Sequence, residues 1–223
     1  MEFGLFTEFP SPPGVTDAAA FDEALAQMKA AEDFGFDAVW LAEIHFQKDR
    51  SVLAAPLVIA SALAACTRRV KIGIAVQVLP LSHPLRLAED VATVDHIAKG
   101  RLEFGVGRSG LPGHYQGFNI PYSESRDRFV ETLDILRKAW TQERFSHDGK
   151  YFQFNDVCVM SGMEMKMRNS WIDIALSRGT LPTKGPSLCI APQMASSATV
   201  RVAVLAPRAP KRTAAHTRNG SGA

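Results

Sequence analysis

Along the first 160 residues the apolar positions switch repeatedly between a two-residue period and a period of three to four, so strands and helices alternate. Val70, Ile72, Ile74, Val76 and Val78 fall at every second position, which predicts a strand with one packed face. A turn, Leu79-Pro80-Leu81-Ser82-His83, leads to Pro84, which suits a first helical position because its missing N–H would be unbonded there anyway. Leu87, Val91, Val94 and Ile97 then recur at helical spacing, and Gly100 ends that helix at a left-handed closing position. Leu102, Phe104 and Val106 begin another strand almost at once. Strand, crossover helix and strand within about forty residues predict a right-handed βαβ unit with parallel strands.

The rest of this region repeats the unit. Glu2–Phe9 predicts a first strand, ended by Pro10-Ser11-Pro12-Pro13-Gly14, which cannot continue a ladder. Asp17 is placed to cap a helix carrying Phe21, Leu25 and Met28 and closing at Phe34-Gly35. Asp37–His45 predicts a second strand, nearly all apolar to Leu41, as a strand covered on both faces should be. Pro56–Cys66 predicts an alanine-rich helix, apolar all round, which suits a subunit interface as well as a core contact. After a Gly/Pro loop, Ser109–Pro121, a helix from Ser123 to Trp140 carries Phe129, Leu133, Leu136 and Trp140 on one stripe. Phe145–Val159 predicts a hairpin around His147-Asp148-Gly149. Four βα units and a hairpin make an α/β fold with a parallel sheet. They match the pace of an eight-unit barrel of about 250 residues, yet alone do not separate half a barrel from a doubly wound sheet.

Composition adds a boundary. A chain of 223 residues, 46% apolar, can bury a full core. Its longest apolar run, Leu53 to Cys66, is interrupted by Pro56 and Ser61 and falls short of the roughly 20 residues of a membrane span. MEFGLFTEFP lacks the basic-then-apolar order of a secretory signal, and Cys66, Cys158 and Cys189 share no metal or redox spacing. The expectation is a reduced, cytoplasmic protein. Residues 1–160 hold 16 basic and 21 acidic side chains, residues 161–223 hold 9 and 2. That asymmetry divides the chain into a folded unit, 1–160, and a segment, 161–223, whose composition favours a disordered basic tail. Within it Val200–Leu205 is one apolar run. A nucleic-acid role for the tail is disfavoured, because Ala191–Ala223 lacks interleaved aromatics.

Several residues could carry chemistry. Gly105-Val106-Gly107-Arg108-Ser109-Gly110 matches G-x-G-x-x-G, but Leu111-Pro112-Gly113 follows where a dinucleotide site needs a helix to open. Its glycines, at the carboxyl end of a parallel strand, leave room for a flat ligand, and Arg108 suits a phosphate as readily as it suits solvent. Glu43 and His45 share one face at the end of the second strand, where they could do acid–base work or form a buried hydrogen-bonded pair. Glu89-Asp90 near the start of a helix has a structural explanation in the helix dipole. His114 and Tyr115 lie in the long loop. No metal-ligand or serine-hydrolase signature is present.

FDAVWLAEIHF (Phe36–Phe46), SHPLRLAEDV (Ser82–Val91) and KGRLEFGVGRSG (Lys99–Gly110), in that order, resemble the bacterial luciferase-like flavin monooxygenases. The resemblance runs from Met1 to about Met160. It implies a (β/α)8 TIM-barrel fold, truncated here to about four βα units, a hairpin and an unmatched tail. It also implies reduced FMN (a deazaflavin being the alternative) delivered by a separate flavin reductase, O2 activated as a flavin C4a-hydroperoxide, a small organic substrate and a homodimer. Carried over by position, Arg108 matches an arginine near the flavin phosphate, and Ala75-Val76 a non-prolyl cis peptide beside the flavin ring. Gly105 and Gly107 line the same cofactor wall, Gly107 standing where catalytic luciferase subunits carry a thiol. Glu43 and His45 are the catalytic candidates, and His45 with Glu89 resembles a contact across a dimer interface. Two departures stand out. Ile44 occupies the place of the family's catalytic histidine, and nothing after Ser161 aligns with strands five to eight. The resemblance therefore implies an FMN-dependent monooxygenase with little turnover of its own, or a non-catalytic flavin-binding or interaction protein.

Overall fold

A computed structural model describes residues 2–159, together with the backbone of residues 201–205. Strands and helices alternate as the periods require: β1 (Glu2–Thr7), α1 (Asp17–Asp33), β2 (Ala38–Leu41), α2 (Pro56–Cys66), β3 (Lys71–Val78), α3 (Pro84–Ala98), β4 (Leu102–Gly107), α4 (Pro112–Gly117), α5 (Ser125–Thr141), β5 (Phe145–Asp148), β6 (Gln153–Val157) and β7 (Arg201–Leu205). The main sheet runs β4-β3-β2-β1-β7. Its first four strands are parallel and lie in chain order, while β7 pairs antiparallel along the outer edge of β1.

Among the described strands that order contains no reversal. A doubly wound sheet reverses its strand order at a switch point. Here each crossover steps to the next neighbour, and the helices meet in chain order: α1 meets α2, α2 meets α3, and α3 meets α5. Leu5, Val39, Leu41, Ile72, Ile74, Phe104 and Val106 face those helices and form one core with Met28, Leu63, Leu87, Val91, Ile135 and Leu136. The opposite face carries Trp40, whose ring lies where a Cβ on Gly73 would come within 2.1 Å of it. Gly73 is therefore required by close approach.

Differences from the expected elements have local causes. Thr16, not Asp17, caps α1, its Oγ1 accepting the Ala19 N–H at 3.3 Å, and Asp17 becomes the first helical residue. The expected loop Ser109–Pro121 contains the short helix α4. At the end of α3 the left-handed turn begins at Lys99 (φ 53°) and continues through Gly100 (φ 76°). The hairpin does not use Asp148-Gly149 as a two-residue turn. Its loop spans residues 149–152, and the Glu131 carboxyl on α5 accepts the N–H groups of Tyr151 and Phe152 at 3.0 and 2.8 Å. Of the expected basic tail, only Arg201–Leu205 falls among the described residues, as β7. No described helix is long and apolar enough to cross a membrane.

Candidate functional site

Parallel strands present their carboxyl ends to one side, and four chain segments meet there. Past β2 the chain runs Ala42-Glu43-Ile44-His45-Phe46. Glu43 and His45 point the same way, as alternation predicts. Glu43 Oε1 lies 2.6 Å from His45 Nε2, and Glu43 Oε2 accepts the Val78 N–H at 2.7 Å. Glu43 is 7% exposed and His45 8%. The pair is thus buried and tied to the end of β3. Ile44 faces elsewhere, onto an open cleft of about 570 Å³ shared with Phe21, Phe46, Gln47 and Val52.

On β3 the Ala75–Val76 bond is cis, and the pairing with β4 slips between Ile74 and Gln77. Beyond the slip the alternation changes phase, so Gln77 is buried although the two-residue period puts Val76 inside. Gly105 and Gly107 on β4 face this segment. A Cβ on Gly105 would lie 2.4 Å from the Ile74 carbonyl oxygen, and one on Gly107 2.4 Å from Val76 Cγ2. The room these glycines leave is taken by β3 itself.

Arg108 follows β4 and donates from Nη1 to Ser125 Oγ at 2.9 Å, at the start of α5. It is half-buried, and no carboxyl group of the described residues pairs with it. Its own carbonyl accepts the Tyr115 hydroxyl, and burial pushes that phenol up to about 12. His114, beside Tyr115 on α4, is 1% exposed. Its ring lies among the His45 N–H, the Gln47 amide and the Ser109 hydroxyl at 3.3–3.4 Å. Phe118 packs edge-on against the His45 ring at 4.9 Å, with Phe46 beside it.

The fold therefore gathers Glu43, His45, Ala75, Val76, Gly105, Gly107 and Arg108 along the carboxyl ends of three adjacent strands. Glu89 is elsewhere: it lies beyond the first turn of α3, outside the reach of the helix dipole, and pairs with Arg86 at 3.1 Å. Ser125, Gln47 and the Ser109 hydroxyl carry no sequence signal, because only the meeting of distant loops gives them partners.

Comparison with known proteins identifies the family. The luciferase-like monooxygenase family matches residues 1–172, and the chain belongs to that family. It is 33% identical over 159 residues to the alkanal monooxygenase alpha chain of the Kryptophanaron alfredi symbiont, covering 71% of this chain and 44% of that protein. Among solved structures, the monooxygenase RslO1 of Streptomyces bottropensis superposes with a TM-score of 0.68 at 32% identity, over 72% of this chain and 49% of that one. The oxygenating constituent of 3,6-diketocamphane monooxygenase from Pseudomonas putida, a type II Baeyer-Villiger enzyme in complex with FMN, gives 0.64 at 26% identity, over 75% and 46%. The chain spans about half the length of the relatives it matches.

Proposed function

We propose that this chain forms the first half of a (β/α)8 TIM barrel and contributes one wall of a reduced-FMN site, as the oxygenating piece of a flavin-dependent monooxygenase. The observation that carries the reading is Arg108, a half-buried guanidinium at the carboxyl end of a parallel strand, held by Ser125 and lacking a carboxyl partner among the described residues. Such a group fits a phosphate, which accepts paired N–H donors. When bound, reduced flavin supplies the two electrons with which O2 is split between an organic product and water.

The chain's own residues have narrower tasks. Arg108 holds the phosphate. Glu43 and His45, in hydrogen-bond contact at 2.6 Å, stand at the strand ends where a reacting group would lie, placed to pass a proton to or from it. Ala75, Val76, Gly105 and Gly107 form a tightly packed backbone wall that keeps water from one side. Ile44 offers no proton, and with half the barrel length matched this supports a second reading, flavin binding without turnover.

The remaining parts of the reading come from the family resemblance. A separate reductase supplies the reduced flavin, and the organic substrate is a small molecule. A second copy of the chain covers the outward face of α2, where Val58, 67% exposed, stands with Ala62, Ala65 and Cys66. Anaerobic titration with photoreduced FMN tests the site. Arg108→Ala should raise Kd by roughly 10–100-fold, the loss of about 1.5–3 kcal/mol for hydrogen bonds to a charged group. An unchanged Kd refutes the assignment, and tighter binding of a deazaflavin would replace FMN as cofactor. Oxygen uptake with a reductase present should not respond to added substrate if the second reading holds.

A further inference from the structure

His114 joins two loops that are far apart in sequence. Its Nε2 lies 3.4 Å from the His45 backbone N–H and 3.3 Å from the Gln47 Nε2 amide, both in the loop after β2. Its Nδ1 lies 3.4 Å from Ser109 Oγ, in the loop after β4. A backbone N–H can only donate, so Nε2 must be the acceptor and the ring proton must sit on Nδ1, where it donates to Ser109. The contacts thus define one tautomer of a neutral, buried ring. An apolar residue would fill the same space but leave the His45 N–H without this acceptor.

We propose that His114 is a positioning residue. Its neutral imidazole ties the loop bearing the Glu43–His45 pair to the loop bearing Arg108, and so sets the spacing of the two groups that the flavin reading assigns to one site. The inference rests on that reading for its functional meaning; the tie itself is a property of the two loops.

Protonation opens the tie. An imidazolium would turn an N–H at Nε2 toward two donors, and both contacts would be lost. The charged and titratable groups around the ring do not favour its protonation. On the β2 side stand His45, backed by Glu43, and Arg50, whose guanidinium pairs with Glu8. On the β4 side stands Arg108, and on its own helix Tyr115. Burial first, then the charges of His45 and Arg50, hold the His114 imidazole below its ordinary range, so it is neutral at pH 7.

Two variants of the full chain, measured beside the wild type, separate this from a packing role. Histidine-selective 15N NMR on the wild type should show His114 neutral with the proton on Nδ1 at pH 7; the opposite tautomer or an imidazolium overturns the proposal. Trypsin cleavage after the exposed Lys48, in the loop after β2, should be at least tenfold faster in His114→Leu. In His114→Gln, whose amide oxygen reaches the place of Nε2, it should stay within threefold of the wild type. Equal rates in both variants overturn the proposal, as does a wild-type rate in His114→Leu. The ratio of the wild-type cleavage rate to that of His114→Gln, in which the pH dependence of the protease itself cancels, should rise as pH falls below 7; a constant ratio counts against the tie. None of these readouts needs flavin. If reduced FMN fails to bind while they hold, the flavin reading falls and the loop tie stands. If His114→Leu also raises the FMN Kd tenfold and His114→Gln restores it, the positioning role is established.

Discussion

Replacing Glu43 probes the site where its architecture and its chemistry coincide. The Glu43 carboxyl accepts from the Val78 N–H at 2.7 Å and meets His45 Nε2 at 2.6 Å, in a place almost closed to water. Glu43→Ala removes both partners and leaves two buried polar groups unmatched. Each such group costs about 1–3 kcal/mol, so the total is about 2–6 kcal/mol, reduced to the extent that water enters the vacated space. For a chain of this size that corresponds to a fall in Tm of roughly 4–24 °C. Glu43→Gln keeps an oxygen for Val78 and places an amide against His45, so it should cost about 1–2 kcal/mol. Urea unfolding followed by far-UV circular dichroism measures both. If Glu43→Ala falls within 1 kcal/mol of the wild type, or Glu43→Gln costs as much as Glu43→Ala, then the pair does not hold the ends of β2 and β3 together as argued. Adding His45→Ala to each variant isolates the coupling, which should be large for alanine and small for glutamine.

Other outcomes follow from the same packing. Gly105→Ala meets the Ile74 carbonyl, which cannot step aside, and should destabilise by about 1–3 kcal/mol, whereas the clash of Gly107→Ala with a Val76 methyl should be relieved by adding Val76→Ala; thermal melts of the three variants decide it. Thr16→Ala should cost about 1 kcal/mol and Asp17→Ala much less, because Thr16 holds the cap; the reverse order in chemical denaturation would return the cap to Asp17. His114 has its folded pKa lowered from 6.5, so below about that pH the unfolded chain binds the proton that the folded chain refuses. Its contribution is complete above pH 6.5 and declines as pH falls, by at most about 1.4 kcal/mol per pH unit for one proton. Subtracting the stability–pH curve of His114→Gln should expose this slope, and a flat difference would contradict it.

The sequence by itself determined the local framework. Alternating residues from Val70 to Val78, Pro84 at a helix start and the all-apolar run Pro56–Cys66 each state a period that the chain can satisfy only as a strand or a helix, and the helix bounds at Pro56–Cys66 agree to the residue. It also placed Glu43 beside His45, which still meet although the strand expected over Asp37–His45 ends at Leu41. Tertiary structure decided the rest. Only pairing could say that β1 to β4 lie in chain order, since that order is a relation between segments and leaves no mark on any one of them. The slip beside Ala75–Val76 broke the two-residue period, and it shows only in the ladder with β4. Asp148-Gly149 reads as a tight turn until Glu131, on another element, supplies acceptors that favour a longer loop. His114 is the clearest case. In sequence it is one imidazole in a Gly/Pro loop; its tautomer and its role come from a backbone N–H sixty-nine residues away, brought to it by the sheet. Periodicity is a property of neighbours along the chain, whereas a buried polar group takes its meaning from whichever partners folding leaves within 3.5 Å.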